Sequence, residues 1–119
     1  MIKQILIVED EPLIAFSIEA AIEDAGHDVL GIAASVSEAL HFLDQTAPDF
    51  VTLDFDLGTE TTEGLASILA ERQIPFALVS GNLKAAMKAI NAKPVAMLSK
   101  PFSDHEIISV LNKTSDNCI

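Results

Sequence analysis

The sequence predicts an α/β domain: a parallel five-stranded sheet with helices on both faces. Three observations predict it. Short apolar runs such as Ile5-Leu6-Ile7-Val8, Phe50-Val51-Thr52-Leu53, Phe76-Ala77-Leu78-Val79 and Val95-Ala96-Met97-Leu98 have the length of buried strands. Segments with helical spacing and capping residues separate them, and such alternation builds a parallel sheet with right-handed crossovers. Half of the 119 residues are hydrophobic, enough for one self-sufficient core and too many for a disordered chain.

Residues 3–9 form the first strand. Pro12 suits a first helical turn, and the helix from 12 to 25 stops at Gly26. Leu13, Phe16 and Ala20 are expected along its apolar stripe, with Ile22 or Glu23 at the border. Residues 28–33 make a second, more polar strand that belongs nearer an edge. Ser35 and Glu38 have capping-box spacing, and Ala39, Leu40, Phe42 and Leu43 continue a helix that ends before Pro48.

The third strand starts at Phe50 and gives way to a polar loop over 58–64. Leu65, Ile68 and Leu69 mark a third helix, and residues 76–79 the fourth strand. A short helix over 83–91 presents Leu83, Ala86, Met87 and Ile90 on one face. Residues 95–98 are the fifth strand. Ser103 and Glu106 repeat the capping-box spacing before Ile107, Ile108, Val110 and Leu111. The tail from Lys113 is read as frayed, and Cys118 as a tail thiol. Residues 1–119 read as one domain, without linker, repeat or output domain.

A formal net charge of −11 opposes contact with backbone phosphates, so direct nucleic-acid binding is not expected. No apolar stretch is long enough for a bilayer or a signal peptide, which leads to the expectation of a cytoplasmic protein with no membrane partner. One cysteine rules out a disulfide framework within the chain. His27, His41 and His105 lack metal-ligand spacing and are read as surface residues. Glu11 reads as a surface acid near a helix start, and Glu60 and Glu63 as solvated loop acids.

Parallel strands bring their carboxyl ends to one rim, where open α/β sheets hold their ligands. Glu9, Asp10, Asp54, Ser80 and Lys100 all follow apolar runs and would meet there. Alone, Asp54 is an ordinary strand-ending residue, Ser80-Gly81 an ordinary turn and Lys100 a surface lysine. Together they have a chemistry. Phosphoryl transfer to a carboxylate brings two anions together, and Mg2+ with oxygen ligands offsets their repulsion. Asp10 and Asp54 can reach such an ion, Glu9 can hold a coordinated water, and the Asp56 backbone carbonyl can complete the set. Lys100 and Ser80 can each contact a phosphoryl oxygen.

These residues resemble the receiver domain of two-component response regulators over nearly the whole chain. The resemblance rests on Val8-Glu9-Asp10-Glu11-Pro12, Leu53-Asp54, Leu78-Val79-Ser80-Gly81 and Ser99-Lys100-Pro101-Phe102. It implies a flavodoxin-like fold with strand order 2-1-3-4-5 and a cis Lys100-Pro101 bond. By the same resemblance, Asp54 is the phosphoacceptor, Asp10 the direct metal ligand with Glu9 in support, Ser80 the switch hydroxyl and Lys100 the phosphoryl-contacting lysine. The implied donor is a histidine kinase or phosphotransfer protein. The implied output is a contact with an unidentified protein through the helix-four, strand-five, helix-five face, with Leu83, Met87, Met97 and Ile107 as candidates.

The sequence departs from the family at three places. Glu9 replaces the commoner aspartate. Met97 stands where a tyrosine or phenylalanine usually follows the switch hydroxyl inward, which puts the usual switch in question. The loop 57–64 lacks the common Met-Pro-x-Met-Asp-Gly segment and resembles a subgroup with Asp-x-x-Leu-Gly, some members of which stand alone or act in stress signalling. Two other functions compete with the phosphorylated switch. A pseudo-receiver would bind partners without phosphorylation. A phosphatase of the haloacid-dehalogenase type would use the Asp54-Phe55-Asp56 pair, but that pair follows the third strand rather than the first and lacks a downstream acidic pair. The chain is therefore expected to be a signalling domain rather than an enzyme.

Overall fold

The structure, a computed structural model, describes residues 2–116. Five parallel strands, β1 (Gln4–Val8), β2 (Asp28–Ala33), β3 (Phe50–Asp54), β4 (Phe76–Ser80) and β5 (Ala96–Ser99), form one sheet in the order β2-β1-β3-β4-β5. Five helices alternate with them: α1 (Pro12–Asp24), α2 (Val36–Gln45), α3 (Glu63–Glu71), α4 (Leu83–Ala89) and α5 (Asp104–Asp116). This is the predicted flavodoxin-like arrangement, with the polar strand β2 at one edge as expected.

Alternation along each central strand divides the core into two. Leu6, Val8, Val51, Leu53 and Leu78 face α2, α3 and α4, packing on Leu43, Leu65, Leu69 and Ala86. Ile5, Ile7, Phe50 and Ala77 face the other way, onto Ala15, Ile18 and Ile22 of α1 and Leu111 of α5. Strands β3 and β4 are buried along their whole length, as both-face coverage requires. The Ser103 capping box forms in full, while at Ser35 the Glu38 carboxylate reaches one residue further back, to the Ala34 N–H at 2.7 Å. Ser35 Oγ accepts the Glu38 N–H at 3.1 Å, and Ser103 Oγ accepts the Glu106 N–H while Glu106 Oε1 accepts the Ser103 N–H.

Three expectations are corrected. Helix α1 buries Ala15, Ile18, Ala21 and Ile22, whereas Leu13 is 84% and Phe16 57% exposed and Ala20 is also exposed. The helix is apolar on most sides, and the stripe holding the small Ala15 is the one that approaches the sheet closely. His27 is buried, not on the surface: its Nδ1 accepts the Lys3 N–H at 3.1 Å, and burial holds its pKa below the usual histidine value. Ile107 is 1% exposed and belongs to the core with Val79 and Leu98, so it cannot be part of an interface. Helix α5 runs from Asp104 to Asp116. Cys118 lies outside the described residues. Among them, no helix is long and apolar enough to cross a membrane.

Candidate functional site

The strand register assembles the site. Val8 pairs with Leu53, which sets Glu9 and Asp10 beside Asp54. Asp54 pairs with Val79, so Ser80 is one step beyond it, and Ser80 pairs with Ser99, which delivers Lys100. The rim opens on a cavity of about 510 Å3 whose lining includes Asp10, Asp54, Asp56, Ser80, Asn82 and Lys100.

Lys100 is the hub. Its Nζ donates to Asp54 Oδ2 at 2.9 Å and lies 3.2 Å from Glu9 Oε1. Burial pulls the lysine pKa down, but the Asp54 hydrogen bond and both carboxylate charges outweigh that and hold it above its usual value. Glu9 behaves in the opposite way. Burial, then the charge of Asp54 and a hydrogen bond with it, push its carboxyl up to about 7, against the Glu11 N–H and Lys100.

That shift has a sign that can be tested. Folded Glu9 keeps its proton up to about pH 7, while an unperturbed glutamate releases it near 4.5. The native state binds more protons in this window, so without metal the Glu9 contribution to stability is fully present below 4.5 and is lost as pH rises through about 7. A cation that needs the carboxylate charged competes with that proton. With a pKa of about 7, Mg2+ titrations by calorimetry should show affinity about tenfold weaker at pH 6 than at pH 8, and Glu9→Gln should flatten the dependence.

The donor set fits a small divalent cation. Carboxylate oxygens of Glu9, Asp10 and Asp54 lie within 4.8 Å of one another, and hard oxygen ligands of this kind suit magnesium. Glu9 Oε2 accepts the Glu11 N–H at 3.2 Å, whereas the buried Oε1 meets only the Lys100 ammonium, at 3.2 Å, among the described residues. Gly58 has φ +85°, and a Cβ there would stand 3.3 Å from Asp10 Oδ2, so the glycine keeps that carboxylate clear. The exposed Asp56 side chain accepts the Gly58 N–H at 2.9 Å.

Ser80 Oγ accepts the Asn82 N–H at 3.0 Å, which leaves its own proton to donate. Asn82 also caps α4 by accepting the Ala85 N–H. The five rim residues read from the sequence are thus brought together, and Asp56 lines the same cavity. Two further residues escaped sequence reasoning. Glu60 is not only a solvated acid: its Oε2 accepts the Val36 N–H at 3.1 Å and ties the loop to the start of α2. Thr62, read as part of a polar loop, is fully buried and donates its hydroxyl to the Asp54 carbonyl at 2.9 Å. Its place just before a helical run signalled a cap, but nothing local signalled a bond back to the strand.

Met97 on the edge strand β5 is 51% exposed, Val95 just before that strand 56% and Met87 of α4 36%, with Leu83 half-buried. A second cavity of about 370 Å3, lined by Leu13, Ile14, Ser17, Lys100, Pro101 and Phe102, adjoins the rim through the lysine.

A family model described as the response regulator receiver domain matches residues 5–112. The phyllosphere-induced regulator PhyR of Methylorubrum extorquens is 28% identical over 116 residues, covering 95% of this chain and 43% of its own length. The crystal structure of a mutant anti-anti-sigma factor PhyR from Bartonella quintana superposes with a TM-score of 0.85 at 27% identity, covering 99% of this chain and 51% of that one. The solution structure of the Erythrobacter litoralis PhyR receiver domain also gives 0.85, at 23% identity, and covers 97% of this chain and 91% of that one; its likeness is one of fold. The chain spans about half the length of the curated relatives it matches.

Proposed function

The chain belongs to the response regulator receiver domain family, and from that premise we propose that it is a signalling switch that accepts a phosphoryl group on Asp54. The observation that carries the proposal is Lys100 joined to Asp54 at 2.9 Å and to Glu9 at 3.2 Å at the mouth of an acidic cavity.

Asp10 and Asp54 would hold Mg2+ through carboxylate oxygens and Asp56 through its carbonyl, with Glu9 retaining a water. Bound there, magnesium would supply the positive charge that lets a phosphoryl anion approach a carboxylate. An Asp54 oxygen attacks phosphorus as the P–N bond of a donor phosphohistidine breaks. The product is an acyl phosphate, and the departing imidazole takes a proton from water. Lys100 can transfer its hydrogen bond to a phosphoryl oxygen, and Ser80 can donate to another. That new demand on Ser80 competes with the geometry of its bond to Asn82, the residue that caps α4. The response would therefore reach the surface of Leu83, Met87 and Met97, where a downstream protein can read it.

The donor must approach the open rim. Leu13, which lines the Pro101 and Phe102 cavity, and Phe16, three residues on along α1, are both exposed and give it an apolar landing surface. Phe16→Ala with Leu13→Ala should cut phosphoryl transfer from a phosphorylated histidine phosphotransfer protein by tenfold or more, at about 1 kcal/mol or more per lost anchor. Incorporation from acetyl phosphate should be unchanged, because a small donor needs no landing surface. Equal transfer from both donors in wild type and variant would exclude this surface.

The test of the function itself is intact-protein mass spectrometry after incubation with acetyl phosphate and Mg2+. One phosphoryl group should be gained, removed by hydroxylamine and absent with EDTA. No gain would favour the alternative of an unphosphorylated binding module, which the complete acid, hydroxyl and lysine set does not otherwise recommend.

A further inference from the structure

The geometry assigns Thr62 as a positioning residue for the candidate metal ligand Asp56, an inference that rests on the phosphoacceptor reading above. A threonine at the N-cap of a helix ordinarily turns its hydroxyl toward the first free N–H groups of that helix. Thr62 occupies the N-cap of α3 but makes no such bond. Its side chain is wholly buried, and its hydroxyl points back to the end of β3, 2.9 Å from the Asp54 carbonyl and 3.3 Å from that of Phe55.

Three consecutive peptide units are held in this loop, the first two by Thr62 and the third by the Glu60 carbonyl. The Asp54 carbonyl, which belongs to the 54–55 unit, accepts the Thr62 hydroxyl. The Phe55 carbonyl, in the 55–56 unit, accepts the Thr62 N–H at 3.0 Å. The Leu57 N–H, in the 56–57 unit, donates to the Glu60 carbonyl at 2.9 Å. An antiparallel bridge between Asp56 and Thr61 closes the clasp. In a planar trans peptide the C=O points opposite to the N–H. Since the Leu57 N–H is turned into the clasp, the Asp56 carbonyl is turned out of it, and Asp56 lines the acidic cavity.

The clasp is anchored outside the site as well. Glu60 Oε2 accepts the Val36 N–H at the start of α2. Thr62 is therefore the joint between two demands: it satisfies a buried strand-end carbonyl and fixes the peptide planes that lead to the Asp56 oxygen. Groups that orient a metal ligand through a hydrogen bond affect affinity without touching the ion.

The experiment is Mg2+ titration by calorimetry of wild type, Thr62→Val, Thr62→Ala and Thr62→Ser, with thermal unfolding in EDTA alongside. Thr62→Val is nearly isosteric and removes only the donor. It should weaken Mg2+ binding by about tenfold, in the range for lost supporting hydrogen bonds. Thr62→Ser should restore the affinity even where it leaves a small loss of melting temperature from the missing methyl. If Thr62→Val does not fold, Thr62→Ala reads the same hydroxyl. A purely structural threonine would lower the melting temperature in both and leave the Mg2+ affinity of the folded protein at the wild-type value, which would overturn the assignment. Wild type that binds no Mg2+ and gains no phosphoryl group is a different outcome: it would remove the phosphoacceptor reading and this inference with it.

Discussion

Asp54→Asn is expected to abolish phosphoryl incorporation. Wild type incubated with acetyl phosphate and Mg2+ should shift on a phosphate-affinity gel, and the variant should not shift at any time point. The loss is complete rather than partial because a carboxamide is a poor nucleophile for phosphorus and no other carboxylate has the same place. Asp54 is 3% exposed at the strand end, with Lys100 already on one of its oxygens. Glu9 and Asp10 follow the neighbouring strand, and in the proposed function they would surround the cation rather than accept phosphorus. Asparagine keeps the shape and one acceptor oxygen for Lys100, so the variant should stay folded, with a circular dichroism spectrum like wild type. A gel shift equal to wild type would show that the acceptor is another residue.

Lys100→Met should have the second-largest effect, and it separates stability from transfer. In EDTA the lysine is the cation for two carboxylates whose side chains are 4% and 1% exposed. Breaking a buried ion pair by deleting one partner costs about 3–5 kcal/mol. The lysine is itself 21% exposed, and Glu9 can take up a proton, so a loss nearer ~2 kcal/mol is expected by urea unfolding. Added Mg2+ should recover more stability in the variant than in wild type, because the ion replaces the missing positive charge. Transfer should not recover. Losing a donor aimed at a phosphoryl oxygen should slow incorporation by roughly a hundredfold. A variant as stable as wild type in EDTA would mean that Lys100 does not hold the two carboxylates together in solution.

These two residues were legible in the sequence because each follows a short apolar run. A buried strand can be recognised from composition and length, and its direction in an alternating α/β chain follows from the crossovers. Asp54 and Lys100 are separated by 46 positions in sequence, yet strand ends are fixed points and the pairing of neighbours could be anticipated. The edge position of β2 followed from its mixed composition in the same way.

Helix α1 shows where this reasoning stops. Leu13, Ile14, Ala15, Phe16, Ile18, Ala20, Ala21 and Ile22 surround it, with only Ser17, Glu19, Glu23 and Asp24 to mark a polar side. Periodicity cannot choose an inward stripe when apolar residues lie on most sides. Docking onto Ile5, Ile7 and Phe50 made the choice, burying Ala15, Ile18 and Ile22 and leaving Leu13 and Phe16 outside. Ile107 failed in the reverse direction: α5 turns it into the core beside Val79 and Leu98.

Element order, the parallel sheet and the acids, hydroxyl and lysine at its rim were all readable from the residues, because strands and their ends are local properties of the chain. Long-range packing fixed which face of α1 meets solvent, the burial of His27, and the reach of Thr62 back to the carbonyl of Asp54. Each of those depends on the distance between segments that do not adjoin in sequence, and no local pattern of residues encodes it.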